Sequence, residues 1–170
     1  MSQNDFVHLH VHSHYSLQTA LGGPYTLAKR AKEEGATALA LTDFGNMHGA
    51  AEFFDACKKE EIQPIIGYDA FLAPRSRLDK EPIDAKSSQI VLLAKNMTGY
   101  KNLLSLATEA HLTGFFYRPR IDWDLLKQHS EGLICLTGGR EGELAQSILG
   151  GDTPEKTKSI AERYQSLFGE

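Results

Sequence analysis

Strand-like and helix-like segments alternate along most of this 170-residue chain, and that alternation restricts the fold to the α/β class. The segment 37–42 is almost entirely apolar, as expected for a strand that is covered on both faces. Strands are expected at 6–11, 37–42, 64–71, 89–94 and 132–136, and helices at 25–34, 50–60, 100–112, 122–129, 141–149 and 154–168. Repeated units of this kind predict a parallel sheet with right-handed crossovers.

Two features of the chain depart from a complete series of such units. Residues 74–88 are charged, flanked by proline and aperiodic, which predicts a surface loop. The sequence stops just after a predicted helix, where a further strand is expected, and its predicted strands are few for a barrel. We therefore expect residues 1–170 to form one domain that is truncated at its C-terminal end and belongs to a longer polypeptide.

Three histidines alternate with aliphatic residues in and just after the first predicted strand. Alternate residues of a strand share a face, so His8, His10 and His12 are expected to project together. Imidazole is the commonest transition-metal ligand in proteins, and Asp69 in the third strand offers a carboxylate. Functional groups of α/β folds gather at the C-terminal ends of strands, where His10 and His12 fall. The histidines are therefore candidate metal ligands, and the alternative is a strand with polar residues turned to solvent.

Composition and charge exclude several classes of protein. A net charge of −4 provides no global attraction for nucleic acid, so such a contact must come from a local patch. The first residues lack a basic and apolar leader, and no apolar run is long enough to span a membrane. Cys57 and Cys135 lie far apart, so a disulfide framework is not expected. These features predict a cytoplasmic protein without membrane contact.

Six blocks, taken in order, carry a resemblance to a known family. They resemble the PHP (polymerase and histidinol phosphatase) domain at the N-terminus of bacterial replicative DNA polymerases, the DNA polymerase III alpha subunits. The resemblance implies a distorted (βα)7 barrel, of which this chain holds roughly the first five βα units. It also implies that the polymerase domains and their magnesium ions lie outside this chain. The blocks are FVHLHVHSHYS at 6–16, ALTDFGNM at 40–47, PIIG at 64–67, LLAKNMTGYKNL at 92–103, PRID at 119–122 and EGLICLTG at 131–138.

The resemblance further implies a degenerate metal site. Family members with an intact site resemble a phosphoesterase that holds three metal ions. His10 and His12 match two of its ligands, and Asp69 replaces a glutamate. No cofactor is therefore expected for this chain, and the alternative is one zinc or manganese ion held by His10, His12 and Asp69. The other ligand positions within the chain carry residues that cannot restore the cluster, namely Thr19, Phe44, Gln89 and Gly139.

Arg118 and Arg120 form the one local cluster of basic and aromatic residues, beside Tyr117 and Pro119. The guanidinium group presents a planar fork of donors that fits phosphate and carboxylate. Both arginines are therefore candidate contacts for nucleic acid or for a partner subunit. The alternative is an ordinary solvated loop.

Three functions fit these observations. The first is a catalytically inactive structural and interaction domain of a polymerase that performs DNA-templated DNA synthesis as a full-length protein. Its partners would be the remainder of the alpha subunit, a proofreading exonuclease subunit and other replicase subunits, with DNA contacted only through the full-length protein. The second is a metal-dependent phosphoesterase or 3′–5′ exonuclease with a reduced metal site. The third is a free-standing short PHP protein with its own partner.

Overall fold

The computed structural model describes residues 6–169, and within them helices and strands alternate as the sequence predicts. The helices are α1 (Pro24–Glu33), α2 (Ala50–Lys59), α3 (Met97–Leu112), α4 (Trp123–Gln128), α5 (Glu143–Leu149) and α6 (Pro154–Phe168). The strands are β1 (Ala38–Leu41), β2 (Gln63–Leu72), β3 (Ser88–Ala94), β4 (Phe115–Phe116), β5 (Arg118–Ile121) and β6 (Leu133–Leu136). Short 3₁₀ turns occupy Pro82–Ala85 and Gly139–Glu141. The α/β class is confirmed.

The sheet is mixed, so the prediction of a parallel sheet is wrong. Strand β2 runs parallel to β1 and β5, but β3 runs antiparallel to both β2 and β6. A parallel connection needs a long crossover that returns the chain to the starting end of the sheet. The segment between β2 and β3 contains only the 3₁₀ turn Pro82–Ala85, so β3 begins at the end where β2 stops. Strand β3 therefore runs antiparallel to β2 because no crossover helix connects the two strands.

The first predicted strand, Phe6–Val11, is not a regular strand. It lies along β1 and pairs with it at a single parallel bridge between His8 and Leu39. The amide of Ala40 donates to the carbonyl of His8 at 2.9 Å, and Thr42 donates to Val11 at 2.8 Å. The Val11 amide, however, donates to the Thr42 side-chain oxygen at 3.0 Å. Because a hydroxyl replaces the backbone acceptor there, the ladder does not continue as a regular strand.

A short hairpin formed by β4 and β5 was not predicted. These two strands are antiparallel, and Phe116 pairs with Arg118 across the turn residue Tyr117. Strand β5 then runs parallel to the end of β2, where Arg120 pairs with Phe71. Proline and two arginines within four residues conceal the strand, because none of them has a high β-propensity. The hairpin adds a rim beside the end of β2.

Helices cover the sheet on the side opposite to the candidate site. The main core packs α3, α4 and α6 against β2 and β3, and a second core packs α1 and α2 against β1. Asp69 and its register partner Val91 lie on the other face, because side chains alternate along a strand. That face also carries a small apolar cluster of Ala40, Val91 and Leu93. Within residues 6–169 no helix combines the length and hydropathy needed to cross a membrane.

Candidate functional site

Two histidines and one aspartate meet at the end of the extended segment and the middle of β2. His10 Nε2 lies 2.7 Å from Asp69 Oδ2, and His12 Nε2 lies 3.2 Å from the same oxygen. Asp69 is fully buried, whereas the side chains of His10 and His12 are 40% and 20% exposed. The other carboxylate oxygen, Asp69 Oδ1, is buried and accepts no hydrogen bond from the described residues. The fold therefore brings together three of the side chains that the sequence singled out, whereas His8 bridges to Leu39 and is not part of this group.

This triad is the one group of potential metal ligands found among residues 6–169. Its three ligand atoms lie within 4.8 Å of one another. Both imidazoles direct Nε2 to a carboxylate oxygen, and a nitrogen that donates a proton to that oxygen cannot coordinate a metal at the same time. The unsatisfied Asp69 Oδ1 fits a cation better than it fits an apolar neighbour. The geometry accommodates either a hydrogen-bonded cluster or one ion.

The Phe44 ring closes one side of the triad. Its centroid lies 4.0 Å from the centroid of the His12 ring, with an angle of 35° between the planes. Phe44 in turn stacks on Phe71 at 6.1 Å and 12°. Phe44 is placed there because residues 43–45 pair with β2, including a parallel bridge between Phe44 and Asp69. An apolar ring therefore lies beside His12, at one of the positions where the family resemblance implies a metal ligand.

Asp43 organises the loop that follows the histidines. Its buried carboxylate accepts hydrogen bonds from the Ser13 amide at 2.7 Å, the Ser13 hydroxyl at 2.7 Å and the Ser16 hydroxyl at 2.6 Å. The Ser16 hydroxyl oxygen also accepts a hydrogen bond from the Phe44 amide at 3.0 Å. These contacts fix residues 13–16 beside β1 and so fix the position of His12, which directly precedes them.

The remaining positions of the implied ligand set contribute no donor to the triad. Thr19 is exposed and donates its hydroxyl to the Ser16 carbonyl at 2.7 Å. Gln89 lies in β3 in register with Phe71, on the same face of the sheet as Asp69, but within residues 6–169 its side chain donates no hydrogen bond to the triad. Gly139 has a positive φ of 56° in the turn after β6.

Arg118 and Arg120 differ sharply in exposure, although they are two residues apart. Arg118 is exposed, and its guanidinium carbon lies 4.8 Å from the Phe71 ring centroid. Arg120 is fully buried and donates to four backbone carbonyls. Because burial leaves Arg120 no surface, the predicted role of Arg120 as a nucleic-acid or partner contact is wrong. The acceptors are Gly114 at 3.1 Å, Asp84 at 2.8 Å, and Arg77 and Asp79 at 2.9 Å each.

Neither cysteine is a candidate nucleophile. Burial raises the pKa of Cys57 and of Cys135 to about 12. Both side chains therefore remain thiols at neutral pH, and the thiolate is the reactive form.

Comparison with solved structures gives weak similarities. A putative metal-dependent phosphoesterase from Bifidobacterium adolescentis is 16% identical, with a TM-score of 0.45 over 95% of this chain and 56% of that chain. An amidohydrolase from Chromobacterium violaceum is 22% identical, with a TM-score of 0.45 over 61% of this chain and 32% of that chain.

Sequence comparison is far more decisive. The chain is 44% identical to the DNA polymerase III subunit alpha of Treponema pallidum and 42% identical to that of Chlamydia pneumoniae. The corresponding subunit of Thermus aquaticus is 39% identical. The matches cover 96–99% of this chain but only 13–14% of those relatives. The family model described as PHP domain matches residues 8–170, and the chain therefore belongs to the PHP domain family.

Proposed function

We propose that this chain is the PHP module of a DNA polymerase III alpha subunit and that the module is a structural and interaction domain without phosphoesterase activity. The Phe44 ring against His12 carries this proposal, because it fills a position that a multi-metal site needs for a donor. The names of the relatives support the polymerase context. Templated DNA synthesis then belongs to the full-length protein, whose polymerase domains would bind magnesium.

The number of donors argues against a multi-metal cluster. Several divalent cations close together need several anionic and imidazole ligands to offset their charge. Among residues 6–169, the triad offers one carboxylate and two imidazoles within 4.8 Å of one another. Asp43, which precedes the residue that bridges to Asp69, already accepts three hydrogen bonds from Ser13 and Ser16. The side chains that remain can satisfy a single ion at most.

As a structural module, the domain would stabilise the remainder of the alpha subunit and provide a surface for other replicase subunits. A proofreading exonuclease subunit is the partner that best complements a lost hydrolytic site, because the missing activity must then be supplied by another chain. Replication in bacteria places such an assembly in the cytoplasm. DNA would be reached through the full-length protein.

The metal content of the purified chain tests the loss of the cluster. After dialysis against zinc and manganese, elemental mass spectrometry should find well below one equivalent of metal. Two or three equivalents would contradict the proposal. The double variant His10→Ala/His12→Ala is the matched control, because any metal that it retains is bound elsewhere.

The structural role is tested in the full-length polypeptide that carries this chain. Asp69→Asn removes the charge of the triad and should leave templated synthesis unchanged. Arg120→Met destabilises the domain away from the triad and should lower the temperature at which synthesis is lost. If Asp69→Asn abolished synthesis while the protein stayed folded, a purely structural role would be refuted.

A mononuclear site is the second candidate, and the buried, unsatisfied Asp69 Oδ1 is the observation that favours it. His10, His12 and Asp69 would hold one zinc or manganese ion. Such an ion supplies Lewis acidity toward a phosphoryl oxygen. One equivalent of metal, lost in His12→Ala together with phosphodiesterase activity, would favour this function over the structural one.

A further inference from the structure

We propose that the tip of the β4–β5 hairpin is a contact site for single-stranded nucleic acid, in which Arg118 binds a phosphate and Tyr117 stacks on a base. This site goes beyond the structural role proposed above and needs no metal at the triad. It keeps Arg118 from the original pair of candidate contacts, replaces Arg120 and adds Tyr117.

Arg118 has a guanidinium group that is free to bind an anion. It is exposed, and within residues 6–169 it forms no ion pair and donates no side-chain hydrogen bond. Arg75 and Arg77, by contrast, pair with Asp84 and Asp122. The 4.8 Å stacking contact with Phe71 restrains the group while leaving its in-plane donors available. A restrained planar fork of donors is the geometry that suits phosphate.

Tyr117 presents an aromatic ring at the turn of the same hairpin. Its side chain is 76% exposed, and its backbone has a φ of 60°, in the left-handed region. A residue with a Cβ pays free energy for this conformation, which glycine would adopt without strain. Strain retained at an exposed aromatic residue points to a role for the side chain. The ring touches Phe116 at 4.7 Å with an angle of 62° between the planes.

The buried side chain of Arg120 holds the hairpin rigidly, so the side chains of Tyr117 and Arg118 are positioned before a ligand binds. The buried Arg120 guanidinium ties β5 to the loop between β2 and β3 through carbonyls of Arg77, Asp79 and Asp84. It also lies over the Phe116 ring at 5.2 Å. A site on a rigid support loses less conformational entropy on binding than a flexible loop does.

Single-stranded nucleic acid fits this pair of side chains better than an acidic polypeptide does. An arginine next to an exposed aromatic ring matches the alternation of phosphates and bases in an unpaired strand. An acidic segment would use the charge of Arg118 but not the ring of Tyr117. The net charge of −4 repels anions at a distance, so binding should be local and sensitive to salt.

Fluorescence anisotropy of a short fluorescein-labelled oligothymidylate, titrated with the chain at low salt, tests the site. Arg118→Ala and Tyr117→Ala should each weaken binding about tenfold. Arg118→Ala should also lower the slope of log affinity against log salt by about 0.7, the value for one phosphate contact on a single strand. Tyr117→Gly removes the ring and relieves the strain, so a loss of binding by a variant whose circular dichroism is unchanged reports the ring and not the backbone.

Arg140→Ala is the control matched in charge. Arg140 is also exposed and without an ion pair among the described residues, but it lies in the turn after β6. If Arg140→Ala weakened binding as much as Arg118→Ala, diffuse charge attraction would replace the proposed site. Displacement of the probe by polyglutamate as readily as by unlabelled oligothymidylate would overturn it in favour of an acidic polypeptide. An oligothymidylate that does not bind at low salt would also overturn it.

Discussion

Replacing Arg120 by methionine should destabilise the rim of the sheet that β4 and β5 form beside the end of β2. Arg120 is fully buried and donates four hydrogen bonds to backbone carbonyls. Burial lowers the pKa of its guanidinium, while the charges of Asp84, Asp79 and Asp122 act in the opposite direction. Methionine keeps much of the volume and the apolar stem but removes every donor.

The expected loss in the free energy of unfolding comes from buried carbonyl oxygens that lose the guanidinium as their donor. Gly114 and Asp84 are buried, whereas Arg77 and Asp79 are half-buried and their carbonyls can be hydrated. The Gly114 carbonyl still accepts the amide of residue 120 at 3.3 Å, so Asp84 provides the one buried carbonyl among these four that loses its donor. An unsatisfied buried acceptor costs about 1–3 kcal/mol. Because methionine also avoids the burial of a charge, the net loss should stay within this range, near 2 kcal/mol.

Urea denaturation followed by circular dichroism measures this free energy of unfolding. Arg118→Met is the matched control on the same strand, since it loses only an exposed cation–π contact and should cost less than about 1 kcal/mol. If Arg120→Met cost no more than Arg118→Met, the carbonyl contacts would not stabilise the fold and the reasoning would be refuted.

Three further changes have expected outcomes. Phe44→His should raise zinc bound after dialysis to about one equivalent, because the new imidazole would lie beside His12; metal content no higher than in the wild type would contradict this. Gly114→Ala places a Cβ 1.9 Å from the Arg120 carbonyl oxygen, so thermal unfolding should show a loss of about 1–3 kcal/mol, and an unchanged Tm would argue against the close approach. The Arg75 hydrogen bond lowers the pKa of Asp84. The contribution of this carboxylate to stability is therefore present above its unfolded pKa of about 3.9 and is lost as the pH falls through its lower folded pKa. Asp84→Asn should lack this part of the acid-induced loss of stability when unfolding is followed by acid titration.

Local patterns in the sequence predicted most elements of the fold but not the direction of the strands. Helices α2, α3 and α6 begin within three residues of their predicted starts, because caps and apolar periodicity are local signals. The antiparallel course of β3 depends on what residues 73–87 do in three dimensions, and their composition indicated only a loop. The β4–β5 hairpin was missed because Pro119 and Arg120 do not resemble strand residues.

The sequence predicted part of the candidate site, because the spacing of the histidines is also a local signal. The alternation of histidines places His10 and His12 together in any extended chain, and Asp69 lies in a recognisable strand. The burial of Arg120 could not be predicted, since charged residues are almost never fully buried and its acceptors are backbone atoms without a sequence signature. Phe44 against His12 depends on the pairing of residues 43–45 with β2.

The recognition of carbonyl oxygens by Arg120 also affects how this loop can evolve. Every residue has a carbonyl, so three of the contacts that hold the loop make no demand on the side chains of residues 77, 79 and 84. Leu78 is 59% exposed and Lys80 is also exposed, so both can be exchanged without disturbing the buried arginine. Selection can therefore change the exposed side chains at positions 78 and 80 while the backbone path of the loop stays fixed.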